Sequence, residues 1–223
     1  MRFKWLDIFL WILPVLAGLL LSLSFPLFNQ GYLIWVALVP LLLFLNKARS
    51  SKAAWWGSLL CGFLFFGITL RWFFDAWPFN WVGLPANQVT FIIIALVWLV
   101  SVLLLSALIG LWGVLARKTG FSFAGGFLVA ALWMVLEYFR AWIFIVPWLG
   151  PETNFGPHWS FADLAYVLSS QNYFLKLAPY LGVYGLGFLI VLANWQIFLL
   201  IKNYRSYLRA YRYLLSLLIL FLI

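Results

Sequence analysis

Residues 132–148 read LWMVLEYFRAWIFIVPW, an apolar run of membrane-spanning length that carries Glu137 and Arg140 in its interior. An ionisable side chain at the centre of the hydrocarbon costs roughly 2.5–3.5 kcal/mol on insertion scales, so each charge here calls for a partner or a polar cavity. Three-residue spacing puts the two on one face of a helix, which predicts that they pair with each other. Pro147 and Trp148 then stop the helix and anchor its end at the lipid surface. Two readings stand side by side. The pair is an internally neutralised lock between neighbouring helices, or it is the polar floor of a lipid-facing site.

The rest of the composition agrees with a span. The 223 residues are 67% hydrophobic and only 9% charged, and the mean hydropathy is +1.07. The fold class this predicts is an all-α, polytopic transmembrane helix bundle rather than a soluble domain. A net charge of +9 would suit nucleic acid in a soluble chain, so the placement of the charges decides its meaning. Fifteen Trp, ten Tyr and 23 Phe fit interfacial belts, with either an apolar-ligand surface or plain packing taking up the remainder. Cys61 is the sole cysteine, which excludes an intrachain disulfide and a cysteine-based metal cluster.

Taken in order, the apolar runs predict spans over about 8–25, 32–45, 53–70, 89–115, 124–145 and 180–201. A seventh, 208–223, begins and is truncated. The first run follows Arg2 and Lys4 as a signal peptide would, yet no small-residue cleavage site follows it, so it is read as a retained helix. Gly18 and Ser22 offer it a small-residue face, and Gly57, Gly62 and Gly67 do the same for the third span. The second run is short for a bilayer and interrupted by Pro40, which makes it less tilted or partly re-entrant. Residues 146–179 mix Pro and Gly with Trp148, Phe155, Trp159, Tyr166 and Tyr173. That mixture predicts an outer loop, or short helices lying in the interface, over the bundle.

Eleven of the 14 basic residues fall at the amino terminus and in the segments 46–52, 116–123 and 202–213. Six spans put all four segments on one side. The positive-inside rule makes that side cytoplasmic, with the loop 146–179 and whatever follows Ile223 facing outward. The basic run after the sixth span therefore faces lipid headgroups, and nucleic acid is excluded as a partner.

Chemistry is sparse along this chain. No acid, histidine or lysine lies within a helical turn of Cys61, so it reads as a buried, inert thiol. His158 with Glu152 and Asp163 is too loose a set for a metal site. The order of Gly182, Gly185 and Gly187 is not a dinucleotide fingerprint, and no strand precedes it. Cofactors and metals are accordingly expected to be none, and no self-contained catalytic constellation is present.

Several segments together carry a resemblance. SLSFP (22–26), WVALVPLLLFL (35–45), WGSLLCGFLFFGITLRW (56–72), ALWMVLEYFRAW (131–142) with PW at 147–148, and LAPYLGVYGLGFLIVLAN (177–194) resemble, in that order, the membrane domain of bacterial apolipoprotein N-acyltransferases. The more specific part is the E-x-x-R helix followed by PW, then GVYGLGFL opening the next span.

The resemblance implies an eight-helix membrane domain and an outward nitrilase-like domain inserted before the last helix. That second domain carries a Glu, Lys and Cys triad whose thiol takes an acyl chain from a phospholipid and passes it to the N-terminal diacylglyceryl-cysteine of a lipoprotein. Division of one transfer into two through a thioester is covalent ping-pong catalysis. No triad residue falls in this chain, and Cys61 does not match the nucleophile. The whole of 1–223 then corresponds to the membrane domain in the bacterial inner membrane, expected to be inactive alone, as a piece of a longer enzyme or one member of a split pair. An insertion at 152–161 departs from the family's shorter segment after PW. The substrate- or lipid-facing candidates are Glu137, Arg140, Pro147, Trp148, Trp159 and Trp72, with the loop 146–179 and the aromatic girdle 72–81 forming a mouth. The implied partners are a phospholipid acyl donor, a lipoprotein acceptor, membrane lipids and a nitrilase-like domain in cis or as a separate chain. A non-catalytic membrane anchor or scaffold is the alternative, and a small-solute transporter is a lesser one because no internal repeat is visible.

Overall fold

The computed structural model describes residues 5–78, 80, 83, 85–143, 160–206 and 212–216. Every regular element among them is helical. The chain forms α1 (Trp5–Ser24), a 3-10 turn (Gly31–Trp35), α2 (Val39–Lys47), α3 (Ser51–Thr69), the short α4 (Trp72–Asp75), α5 (Gln88–Lys118) and α6 (Phe123–Ile143). A second 3-10 helix (Leu164–Ser170), α7 (Asn172–Leu175) and α8 (Ala178–Lys202) follow. Among the described residues four segments are long and apolar enough to cross a membrane: Ser51–Asp75, Gln88–Lys118, Phe123–Ile143 and Ala178–Lys202. The first two apolar stretches, Phe9–Ser24 and Gly31–Lys47, are shorter. The expected seventh span lies largely outside the described residues.

α3 lies between α1 and α5 and packs closely on both. The contacts are tight because small residues face each other. A Cβ on Gly18 would come within 2.6 Å of the Cys61 carbonyl oxygen, and one on Gly62 within 2.9 Å of Ser106 Cα. Van der Waals packing of this kind is what holds helices together where lipid tails are as apolar as the side chains. Because the obstacle at Gly18 is backbone, Gly18→Val is expected to push α1 off α3 and lower stability by about 1–3 kcal/mol, the usual cost of overpacking. The check is thermal unfolding in detergent against Gly67→Ala, where the nearest atom is 3.5 Å away on the Trp98 ring and little change is expected.

The second run is not one helix. It starts as the 3-10 turn, loosens at residues 36–38 and restarts as α2, with Pro40 in the first turn. Proline suits that position, since the first helical N–H groups have no intrahelical partner and its fixed φ is already helical. The break leaves backbone groups to satisfy at membrane depth, and Asn194 of α8 satisfies them. Leu38 N–H donates to its Oδ1 at 2.8 Å, and its Nδ2 donates to the Ile34 carbonyl at 2.8 Å and the Ile190 carbonyl at 2.9 Å. Asn194 is fully buried. α8 itself bends at Gly182, whose φ of +63° is a conformation glycine adopts without steric cost.

Within 160–170 the outer loop folds as a short helix whose apolar side is buried rather than as an open loop. Asp163, Leu164, Ala165, Val167 and Leu168 are buried, and the second 3-10 helix packs against α8 and the Gly31–Trp35 turn. Four apolar side chains in one short stretch hold it there.

Candidate functional site

α6 places Trp133, Glu137 and Arg140 on one inward face, at spacings of four and three residues, and all three are buried. Glu137 and Arg140 are 2% and 4% exposed, so they do not project from the outer surface of the described bundle. Nor do they pair with each other, as their spacing had predicted. Arg140 forms an ion pair with Asp163, itself 1% exposed, and donates to the Phe161 carbonyl at 3.0 Å. Its guanidinium stands 5.5 Å from the Phe66 ring centroid, an arrangement the ring's negative face favours. Glu137 Oε1 accepts from Trp133 Nε1 at 2.8 Å and from Leu164 N–H at 3.0 Å.

The exchange of partners has a physical reason. Asp163 precedes a helix and is the residue type that usually caps one, yet its side chain makes no capping bond. It turns to Arg140, and Glu137 takes the first free N–H of the 3-10 helix in its place. One incoming loop thus supplies a countercharge, a carbonyl and an N–H, where the helix alone supplied only one charge for another. Additional hydrogen bonds of this kind help a buried charge offset its desolvation, although Arg140 Nε and Glu137 Oε2 remain buried without a hydrogen-bond partner among the described residues. Burial raises the Asp163 carboxyl above the ordinary aspartate range, while the Arg140 charge and hydrogen bond pull it back. The backbone between the two points held by Arg140 is strained, with Ala162 at φ +56°.

Gly187 of α8 closes the cluster from the other side: a Cβ there would stand 3.2 Å from Glu137 Oε2. The family-like GVYGLGFL stretch therefore lies against the E-x-x-R helix at its charges. A cavity of about 20 Å³ lined by Phe66, Leu105, Ile109, Trp112 and Trp133 adjoins Glu137 and Arg140. Its size is that of one water molecule.

Trp72 lies outside this cluster. It is 42% exposed, on α4, which packs against α5. The girdle it belongs to is aromatic as expected, with Phe74 against Phe91 and Trp98 at 6.0 and 5.5 Å and Trp77 edge-on to Phe91 at 5.8 Å. An open groove of about 520 Å³ runs beside Trp77, Asn87, Gln88, Phe91 and Ile92. Pro147, Trp148 and Trp159 lie outside the described residues. Asp163 as the partner of Arg140 escaped the reading of the sequence, where it stood only as a poor metal ligand.

The family model for the apolipoprotein N-acyltransferase N-terminal domain matches residues 17–196, which include Glu137, Arg140, Asp163 and Asn194. The chain belongs to this family. An apolipoprotein N-acyltransferase of Gloeobacter violaceus is 36% identical over 123 residues, 52% of this chain and 23% of that protein. Those of Geobacter metallireducens and Coxiella burnetii are 28% identical over 205 residues and 26% over 193. These alignments cover 88% and 86% of this chain but only 34% and 36% of the relatives. The chain thus spans about a third of the length of these two relatives.

Proposed function

We propose that this chain is the membrane domain of an apolipoprotein N-acyltransferase, the enzyme that moves an acyl chain from a phospholipid to the N-terminal diacylglyceryl-cysteine of lipoproteins. The match of residues 17–196 to the family's N-terminal domain carries the reading. In it the chain crosses the bacterial inner membrane six times and begins a seventh crossing, with its amino terminus cytoplasmic and the 146–179 side outward. Cys61, the only thiol in the sequence, is fully buried in α3 and has no route to an acyl donor. The nucleophile then comes from a nitrilase-like domain, in cis or as a separate chain, and these 223 residues alone are inactive.

Their part is to hold the donor lipid at the outer leaflet. Trp72 and the groove beside Trp77 and Phe91 offer apolar contacts at the membrane surface, and Pro147, Trp148 and Trp159 are the further lipid-facing candidates. Glu137 and Arg140 touch no lipid in this reading; they hold the segment 161–164 in place.

The test is acylation in proteoliposomes containing phosphatidylethanolamine and a diacylated lipopeptide, read by mass spectrometry. Triacylated product is expected when the nitrilase-like domain is present and none from the chain alone. Product from the chain alone overturns the inactivity. Binding of the domain with no product at all leaves a scaffold.

A further inference from the structure

We propose that the basic end of the bundle is a binding surface for anionic phospholipid headgroups, centred on Lys202, the last residue of α8, where it packs against the turn between α5 and α6. This end carries Lys47, Lys52, Lys118, Lys202, Arg205 and Arg212, all exposed. Packing brings the segments that bear them together: Arg117 Nε, at the end of α5, donates to the Ala48 carbonyl after α2 at 3.1 Å, and Trp195 of α8 donates to the Ser122 carbonyl at 3.0 Å.

The acids lie elsewhere. Glu137 and Asp163 are consumed inside the bundle, and Asp75 closes α4 at the opposite end of α3. Asp7, near the amino terminus, is the one acid that the sequence places on the basic side. A surface with this excess needs counter-charge from outside the chain.

The position of Lys202 selects lipid over a soluble polyanion. Its ammonium does not project away from the bundle; it lies 5.2 Å from the Phe121 ring centroid and 6.0 Å from that of Phe198. Phe121 itself holds the turn, at φ +54° beside Gly120 at +69°. Next to it, Arg205 is fixed by a 2.9 Å bond from its Nε to the Tyr204 hydroxyl. Exposed Ile201, Phe123 and Tyr204 surround these cations with apolar surface. Cations set among aromatic rings at the end of an apolar span lie at headgroup depth, where a lipid phosphate meets them and its acyl chains run down the helices. The inference is independent of catalysis and of which leaflet this end faces.

The chain purified in a neutral detergent is titrated with phosphatidylglycerol or phosphatidylcholine, and retained lipid is counted by native mass spectrometry. Phosphatidylglycerol is expected to be retained in preference, and less so at high salt. Lys202→Gln combined with Lys118→Gln is expected to weaken its binding roughly fivefold for each cation removed. Equal retention of the two lipids by the parent chain overturns the proposal whatever the variant does. So does displacement of phosphatidylglycerol by inorganic phosphate or by a single-stranded oligonucleotide at comparable concentration, which would make the surface one for free anions or for nucleic acid. A loss from Lys202→Gln alone no greater than that from Lys52→Gln alone leaves a diffuse charge and overturns the place given to Lys202.

Discussion

Arg140→Met is expected to lower stability by about 3–5 kcal/mol, because removal of one partner of a buried ion pair leaves the other charge uncompensated. The charge stranded is Asp163, not the Glu137 that its spacing on α6 had suggested. The Phe161 carbonyl loses its donor as well, and the strain at Ala162 loses one of the contacts that holds it. The damage should therefore centre on residues 160–168, visible as faster hydrogen exchange there before α3 and α5 respond. Arg140→Met with Asp163→Leu tests the account more sharply. Both charges are then gone and their desolvation cost with them, so the double variant is expected to be more stable than Arg140→Met alone. Equal stability of the two would mean that Asp163 is not what Arg140 neutralises. Glu137→Gln is milder in the same assay. Its amide oxygen still accepts from Trp133 and Leu164, at 2.8 and 3.0 Å in the parent, and only the strength that a charge lends those bonds is lost.

How much of this was legible before the fold was known follows from the range over which each signal acts. The spans are a local property of apolar runs, and 53–70, 89–115, 124–145 and 180–201 fall within a few residues of α3, α5, α6 and α8. Pro40 announced the break in the second run for the same reason, and Gly18 and Gly62 announced close contacts. The partners of Glu137 and Arg140 are another matter. Apart from Trp133 on the same helix, they lie 21 to 27 residues away across a segment rich in Pro and Gly, whereas a helical period speaks only for the neighbouring turn. That each charge needs a partner is legible from its depth in an apolar run; which partner is not. The 160–170 segment does not read as a span, and the depth to which Leu164, Ala165, Val167 and Leu168 are buried depends on α8 and the Gly31–Trp35 turn, both distant in sequence. Pro147, Trp148 and Trp159 fall outside the described residues.

Asn194→Leu is the second large effect, and here the magnitude turns on which groups lose a partner. Hydrogen bonds between side chains within membranes contribute little, on average about 0.6 kcal/mol, because the separated helices find other partners. By that measure a leucine, which packs well, would be almost neutral. The Asn194 amide, however, serves backbone. It bonds Leu38 N–H and the Ile34 carbonyl, two groups orphaned where the 3-10 turn gives way to α2. A backbone group in hydrocarbon has no rotamer that finds it another partner, and each one left unmade costs about 1–3 kcal/mol. A loss of about 2–5 kcal/mol is therefore expected, with Leu38 amide exchange rising as the break loosens. Asn194→Asp separates the two halves of the bracket. It keeps the acceptor for Leu38 N–H, loses the donor to Ile34 and Ile190, and places a carboxylate against two carbonyls, so it should be no better than leucine. If Asn194→Leu unfolds with the parent and leaves the Leu38 amide protected, residues 36–38 hold their shape by packing alone. The conserved stability would then trace to Ile34, Leu38, Leu41 and Leu42, all fully buried around the break.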